Sequence, residues 1–143
     1  ILVNQKKIAG ILIENNFTTQ AIQYSVIGVG LNVNQQEFDN FERLATSIKL
    51  LLNRDFDRKK VMELFCQKLE KWYLKLKENK FDLIDNTYLN SLFGINQTLS
   101  FENPNKTAFE GKMIGVSIEG KLRIELSNLD VKEFDIKDVK FLI

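Results

Sequence analysis

The chain begins with short apolar runs separated by polar pairs. Ile1-Leu2-Val3 and the stretch from Lys7 to Glu14 predict a hairpin of residues 1–4 and 7–14, turned at Gln5-Lys6. Ile11-Leu12-Ile13 is apolar on both faces, the pattern of a sheet covered on both sides. Asn15-Asn16 opens a polar connection, and residues 22–34 form the next long strand. Side chains alternate across a strand, so this one has two unlike faces. Ile27, Val29, Leu31 and Val33 make an apolar row, while Val26, Gly28, Gly30, Asn32 and Asn34 make a face stripped of bulk and ending in amides. Glycine weakens a strand interior and marks close approach by a ligand or another backbone. The pattern therefore predicts a strand that backs onto a core and offers a floor to something small.

Residues 35–42 read as a polar loop carrying Phe38 and Phe41, and residues 43–53 as a helix. The clearest helix spans about 58–79, where Val61, Leu64, Phe65, Leu69, Trp72, Tyr73 and Leu76 recur at helical spacing. Asp57 is its expected N-cap, with Phe56 and Val61 at the staple positions. Lys60 stands where a capping box needs a glutamate. The opposite face is charged and predicts solvent contact. Trp72 and Cys66 are expected in the helix core. A shorter helix is expected near 82–92. After Gly94, strands are predicted at 99–102, 108–117, 122–126, 133–136 and 139–143, joined by Asn103-Pro104-Asn105, Glu119-Gly120 and Ser127-Asn128. Short strands with such turns predict a small barrel. The expected fold class is α+β, a partial mixed sheet with packed helices followed by this barrel, with the domain boundary near residue 93.

Composition narrows the possible partners. The 143 residues carry a formal net charge of +1, which lacks the concentrated basic surface of a nucleic-acid binder. Residues 1–93 hold 13 Lys+Arg against 11 Asp+Glu, and residues 94–143 hold 7 against 8, so neither part is basic enough to change that reading. The four arginines, Arg43, Arg54, Arg58 and Arg123, are scattered, whereas bidentate phosphate clamps favour arginine. No run reaches the roughly 18 apolar residues of a membrane span. The single cysteine, Cys66, excludes an intramolecular disulfide and fits a reducing compartment such as the cytoplasm. With no histidine, imidazole catalysis and His-based metal sites are excluded from this segment.

Three motifs in series carry a family resemblance. Lys6-Lys7-Ile8-Ala9-Gly10-Ile11-Leu12-Ile13-Glu14 is followed by Ile27-Gly28-Val29-Gly30-Leu31-Asn32-Val33-Asn34 and then by Ala45-Thr46-Ser47. This order resembles the K-x-x-G-I-L-x-E strand, the G-x-G-x-N strand and the Ala-Thr-Ser helix start of biotin–protein ligases. The resemblance covers essentially the whole chain, and it implies the C-terminal half of the catalytic domain, of the class II aminoacyl-tRNA synthetase/biotin ligase type, over residues 1–93. It also makes residues 94–143 an SH3-like domain. The chain begins inside an expected strand, so the resemblance implies a C-terminal fragment. It lacks the Lys-Trp-Pro-Asn-Asp segment and the Arg/Gly-rich loop that closes over biotin and the adenylate.

The resemblance assigns roles residue by residue. A lone lysine at a strand start is ordinarily a solvated edge residue. In the family, however, the lysine at the position of Lys7 faces the biotin carboxylate and the α-phosphate of ATP. Two anions meet there, and a fixed cation aimed at the developing charge lowers the barrier. Gly10, Leu12, Gly28 and Gly30 are then expected in the wall of the biotin pocket. The alternative for Gly10 is close packing against a helix. The two glycines are not a dinucleotide fingerprint, because Val33 stands where the third glycine would be. Asn32, otherwise a turn-forming amide, is expected to bind the phosphates or their magnesium, which prefers oxygen donors and keeps waters. Asn34 is expected to share that role. Ala45 and Thr46 either border the adenine site or simply start a helix.

The implied activity is ATP-dependent biotinylation of a lysine in a biotin carboxyl carrier domain, through biotinyl-adenylate. The implied ligands are biotin, ATP and Mg2+, with no nucleic acid or membrane engaged by this segment, and a homodimer is compatible with it. Two alternatives remain open. One is a lipoate–protein ligase relative on the same catalytic fold, which acceptor and cofactor assays would separate. The other is a non-catalytic protein-binding module using the barrel.

Overall fold

The computed structural model describes residues 1–19, 21–38, 44–135 and 137–142. The chain divides into two compact units, Ile1–Lys68 and Leu69–Ile143.

The first unit opens with a two-residue ladder, β1 (Leu2–Val3) against β2 (Lys6–Lys7). The turn falls on Asn4-Gln5, both at positive φ (49° and 63°), one residue earlier than the expected Gln5-Lys6. Asparagine tolerates that backbone region well, so the turn settles there. Ile1 carries the pairing on to the start of the next strand, β3 (Ala9–Phe17), its carbonyl accepting from the Ile8 N–H at 3.0 Å and its amine donating to the Ala9 carbonyl at 2.8 Å. Strand β3 pairs along its whole length with β4 (Ile22–Leu31), from Ala9↔Leu31 to Phe17↔Ile22. Opposed residues share a face, so Gly10 with Gly30 and Leu12 with Gly28 lie on one side of the ribbon. Ala9 with Leu31, Ile11 with Val29 and Ile13 with Ile27 lie on the other. Alternation thus sorted these residues between the two faces as observed, but the expected cover is absent among the described residues: Ile11, Ile13, Ile27 and Val29 are exposed and do not back onto a core.

Strand β4 ends three residues short of expectation. The Asn32 N–H still donates to the Ile8 carbonyl in the register of the ladder, but the Ile8 N–H donates to Ile1 and the Asn32 carbonyl accepts from the Ile48 N–H, so the pairing stops and the chain bends at Val33-Asn34. Helix α1 (Ile48–Leu52) follows, with Ser47 as N-cap: its Oγ accepts from the Leu50 N–H at 3.2 Å. Only this part of the expected 43–53 helix forms, since Leu44–Ser47 runs extended beside Lys7 in a parallel bridge, Lys7↔Ala45. Phe41 and Arg43 lie outside the described residues.

Helix α2 (Arg58–Lys77) starts where Asp57 caps it, its Oδ1 accepting from the Lys59 N–H at 2.9 Å. None of its residues is buried: Trp72 is 37% exposed, and Cys66 is exposed too. The expected core placement of both is corrected here. The apolar stripe exists, but the described chain puts no complete cover over it. Helix α3 (Phe81–Ser91) follows.

The second unit is organised around five antiparallel strands: β5 (Thr98–Glu102), β6 (Ala108–Val116), β7 (Leu122–Leu126), β8 (Val131–Phe134) and β9 (Lys140–Phe141), in the order β8-β7-β6-β5-β9. Phe101, Met113 and Ile124 are fully buried at its centre. Phe101 lies 5.5 Å from Phe109 and 5.1 Å from Phe141, and Phe109 lies 5.6 Å from Phe134, between ring centroids. Such ring pairs add about 0.5–1.5 kcal/mol each beyond their buried area. Strand β6 shifts register between Met113 and Gly115, whose φ is 144°. A bulge of this kind bends a strand and increases its twist.

Candidate functional site

The stripped face of the β3–β4 ribbon forms the floor of an open depression of about 650 Å³. Gly10, Leu12, Gly28, Gly30 and Asn32 line it, as expected from their alternation; Lys7, which alternation alone would not put on that face, and Gln35 join them, as do Ala9, Ile11, Val29 and Leu31 of the same strands. Three of these positions are glycine, and their backbone surroundings do not demand it. A Cβ at Gly30 would meet nothing within 4 Å. At Gly28 it would meet only Leu12 atoms at 3.9 Å or more, an ordinary contact. At Gly10 it would stand 3.8 Å from Lys7 Cε and 3.9 Å from Lys7 Nζ. Close packing against a neighbouring helix, the bland alternative for Gly10, finds no partner among the described residues.

The same distances locate the lysine. Its ammonium lies over Gly10, on the glycine face, and not out along the strand edge. Its backbone is held from both sides: the Lys7 N–H donates to the Leu44 carbonyl at 2.8 Å, and the Thr46 N–H donates to the Lys7 carbonyl at 2.9 Å. Among the described residues its ammonium has no carboxylate within ion-pair range. It is an exposed cation turned toward a notch with no bulk, an arrangement suited to a small anion.

Asn32 is half-buried, and its Nδ2 donates to the Thr46 carbonyl at 3.0 Å. That bond fixes which end of the amide is free. Oδ1 has no protein donor among the described residues and is the end available to a ligand. One amide oxygen is a partial site for a hard cation that takes its other oxygens from water or phosphate. Among the described residues there is no cluster of three or more Cys, Asp or Glu that could hold a metal unaided.

Asn34, Ala45 and Thr46 do not line the depression. Asn34 turns away because the strand has already ended. Its Nδ2 donates to the Phe56 carbonyl at 2.8 Å, and its Oδ1 accepts from the Phe56 N–H at 3.0 Å. Thr46 is buried and contributes backbone atoms to Lys7 and Asn32. Sequence reasoning missed Gln35, because the bend after Leu31 breaks the alternation that would have placed it. It also gave Ser47 no separate role. Ser47 is completely buried, caps α1 and donates its Oγ to the Gln35 carbonyl at 2.5 Å. A serine before an apolar helical run was the available signal.

No protein-family model matches the chain. Against curated proteins it is 32% identical over 143 residues to the bifunctional ligase/repressor BirA of Bacillus subtilis (strain 168), covering 98% of this chain and 43% of that protein. It is 32% identical over 128 residues to the bifunctional ligase/repressor BirA of Bacillus spizizenii, covering 87% of this chain and 39% of that protein. It therefore spans less than half the length of these relatives. Among solved structures, the apo biotin protein ligase of Aquifex aeolicus superposes with a TM-score of 0.73 at 22% identity, over 97% of this chain and 60% of that one. The same enzyme in complex with biotin and ATP gives a TM-score of 0.72 over 57% of its length. At that identity the likeness speaks for the α+β fold.

Proposed function

Because this chain belongs to the biotin–protein ligase family, we propose that it supplies half of the active site of an ATP-dependent biotin–protein ligase. The observation that carries this reading is the glycine face with one cation above it. Gly10, Gly28 and Gly30 are bare where the chain's own packing would accept a Cβ, and Lys7 is aimed at the bared surface. In this reading the notch, walled by Leu12, takes biotin. The biotin carboxylate attacks the α-phosphorus of ATP, forming the mixed anhydride biotinyl-5′-adenylate and expelling pyrophosphate. Lys7 stabilises the charge that builds on the phosphoryl oxygens. Asn32 Oδ1 holds a phosphate-bound magnesium, and Ala45 and Thr46 border the adenine. A lysine amine of a biotin carboxyl carrier domain then attacks the acyl carbon, forms the amide and releases AMP.

The reading extends to organisation. Residues 1–93 are assigned to the catalytic part and residues 94–143 to an SH3-like domain, the curvature introduced by the β6 bulge and the phenylalanine stack favouring closure. The compartment is cytoplasmic, and a homodimer is compatible with it. Among the described residues no helix is long and apolar enough to cross a membrane. The lipoate alternative has less support, since the relatives are ligase/repressors of the BirA type and the structural neighbours are biotin protein ligases.

The 143 residues are proposed to work within a longer ligase chain. Their accessible area is 11,520 Å², against about 9,100 Å² for two independent domains of half the mass. Ile11, Leu12, Ile13, Ile27 and Val29 contribute to the excess, each exposed on β3 or β4. A bare two-stranded ribbon is marginal in water, and reactive adenylates need water excluded. This chain alone should therefore show no appreciable ligase activity. Labelled-biotin transfer to a carrier domain, by the purified 143 residues and by the same residues within a full-length ligase, tests both points. Robust transfer by the short chain would contradict the half-site reading. No transfer by the long chain would contradict the ligase reading.

A further inference from the structure

Residues Asn32 to Gln35 form the rim of the depression beyond the end of β4, and each is tied to the segment that follows. The Ile48 N–H donates to the Asn32 carbonyl at 3.0 Å, and the Lys49 N–H donates to the Val33 carbonyl at 2.9 Å. Ser47 Oγ donates to the Gln35 carbonyl. Asn32 adds a side-chain bond to the Thr46 carbonyl, but Asn34 makes its tie wholly through its side chain, and that tie reaches residue 56. Its amide accepts from and donates to the backbone of one residue, copying a rung of a β ladder. Asn32 and Gln35 face the depression, whereas Asn34 between them does not.

We propose that Asn34 is a positioning residue for the nucleotide end of the site, locking the Asn32–Gln35 rim to the Phe56 backbone, and not a ligand of phosphate or metal. The proposal rests on the ligase reading and deepens it. Both polar atoms of the Asn34 amide are committed to Phe56, while Asn32 has its amide nitrogen committed and its oxygen free. The two asparagines of the same motif thus divide the work: Asn32 presents an oxygen, and Asn34 holds the strip that carries it.

Aspartate separates the two roles. A carboxylate binds magnesium at least as readily as an amide oxygen, so Asn34→Asp would spare a direct magnesium ligand; a direct phosphate ligand is argued against by the amide nitrogen itself, which is committed to the Phe56 carbonyl. It cannot donate to the Phe56 carbonyl, and its charge would face that oxygen, so it would break the clamp as Asn34→Ala does. The test measures biotin-dependent pyrophosphate release by the full-length ligase chain, with Asp55→Asn as a control. Asp55 pairs with Lys49 at 2.8 Å within the same segment but makes no contact with Asn34 among those described. Removing an outer partner of this kind typically costs about 10–100-fold. Asn34→Ala and Asn34→Asp should each raise the KM for MgATP by that factor, with kcat and the KM for biotin essentially unchanged, and Asp55→Asn should do neither.

A wild-type nucleotide KM in Asn34→Asp would overturn the proposal and make Asn34 a ligand. Equal losses in Asp55→Asn, or equal rises in both KM values, would reduce Asn34 to general support of the fold, as would melting of both Asn34 variants below the assay temperature. A wild-type chain that releases no pyrophosphate would sink the ligase reading together with the proposal. Wild-type activity with a KM independent of Asn34 would sink the proposal alone.

Discussion

Glycine means two different things in the two units of this chain. In the second unit, a Cβ at Gly94 would collide with Leu99 Cδ1, and one at Gly111 would collide with Ile124 Cγ2 and press on the Glu125 carbonyl at 3.2 Å. Those glycines are required because the chain's own side chains already occupy the space. In the first unit the space beside Gly28 and Gly30 is open, and the only atoms near a Cβ at Gly10 belong to the end of a flexible lysine. Those glycines leave room for something the chain does not contain. The residue alone does not distinguish packing from binding; the neighbour that a methyl group would meet does so outside the left-handed region, whereas Gly120, equally open but at φ 82°, is glycine for its turn.

The largest effect that could sharpen this contrast is on rate. Lys7→Ala in a full-length ligase should slow adenylate formation by about 3–4 kcal/mol of activation free energy, the loss seen when one preorganised electrostatic donor is removed. It should change biotin affinity much less, because the charge it meets develops in the transition state. Pyrophosphate-release kinetics would show this, and an unchanged rate would return Lys7 to a solvated strand edge. Next comes Gly111→Ala. Overpacking a filled site costs about 1–3 kcal/mol, so denaturant unfolding of the 143 residues should show a clear loss of stability, whereas Gly30→Ala should show almost none. Equal losses at both positions would erase the comparison.

The smallest effect lies in the turn between β6 and β7. The Glu119 carboxyl is held below its ordinary value, first by the Ser117 hydroxyl that donates to it at 2.8 Å, then by its own backbone N–H and by the charge of Lys121. A depressed carboxylate stabilises the fold above the unfolded-state pKa, about 4.3 for glutamate. That contribution is lost as pH falls through the lower folded value. Ser117→Ala should therefore cost slightly more stability at neutral pH than in strong acid, where only the bonds its Oγ accepts from the Glu119 and Lys121 N–H groups are lost. Melts across that range would check the sign, and a difference that grew in acid would be the wrong one. The site in the first unit should not respond.

The sequence was most readable where a local rule and the tertiary structure agree. Period-two alternation put Gly28, Gly30, Ile27 and Val29 on their observed faces, and Asp57 was legible as a cap because its geometry is local. Five strands of the second unit were anticipated to within two or three residues, since their turns are marked by Asn, Gly and Pro. The larger failures involve distant partners. Nothing near Leu31 signals that the Asn32 carbonyl will turn to the Ile48 N–H and end the strand. Nothing near Asn34 signals Phe56, which lies 22 residues away. The stripe of Trp72 and Leu69 was recognised, yet a stripe does not say whether the same chain covers it, and here both remain partly exposed.

The central claim is that the glycine face is bare for a ligand and not for packing. Calorimetric titration of biotin into Gly28→Val in the full-length ligase, beside a thermal melt of the same sample, tests it most directly. Valine suits a strand, the apolar face behind it is unaltered, and a Cβ at this position has only ordinary contacts. The account predicts a melting temperature close to wild type and no measurable biotin binding. Wild-type affinity would show that the bare face is not the pocket floor, and a collapsed melt would show that Gly28, like Gly111, is glycine for packing alone.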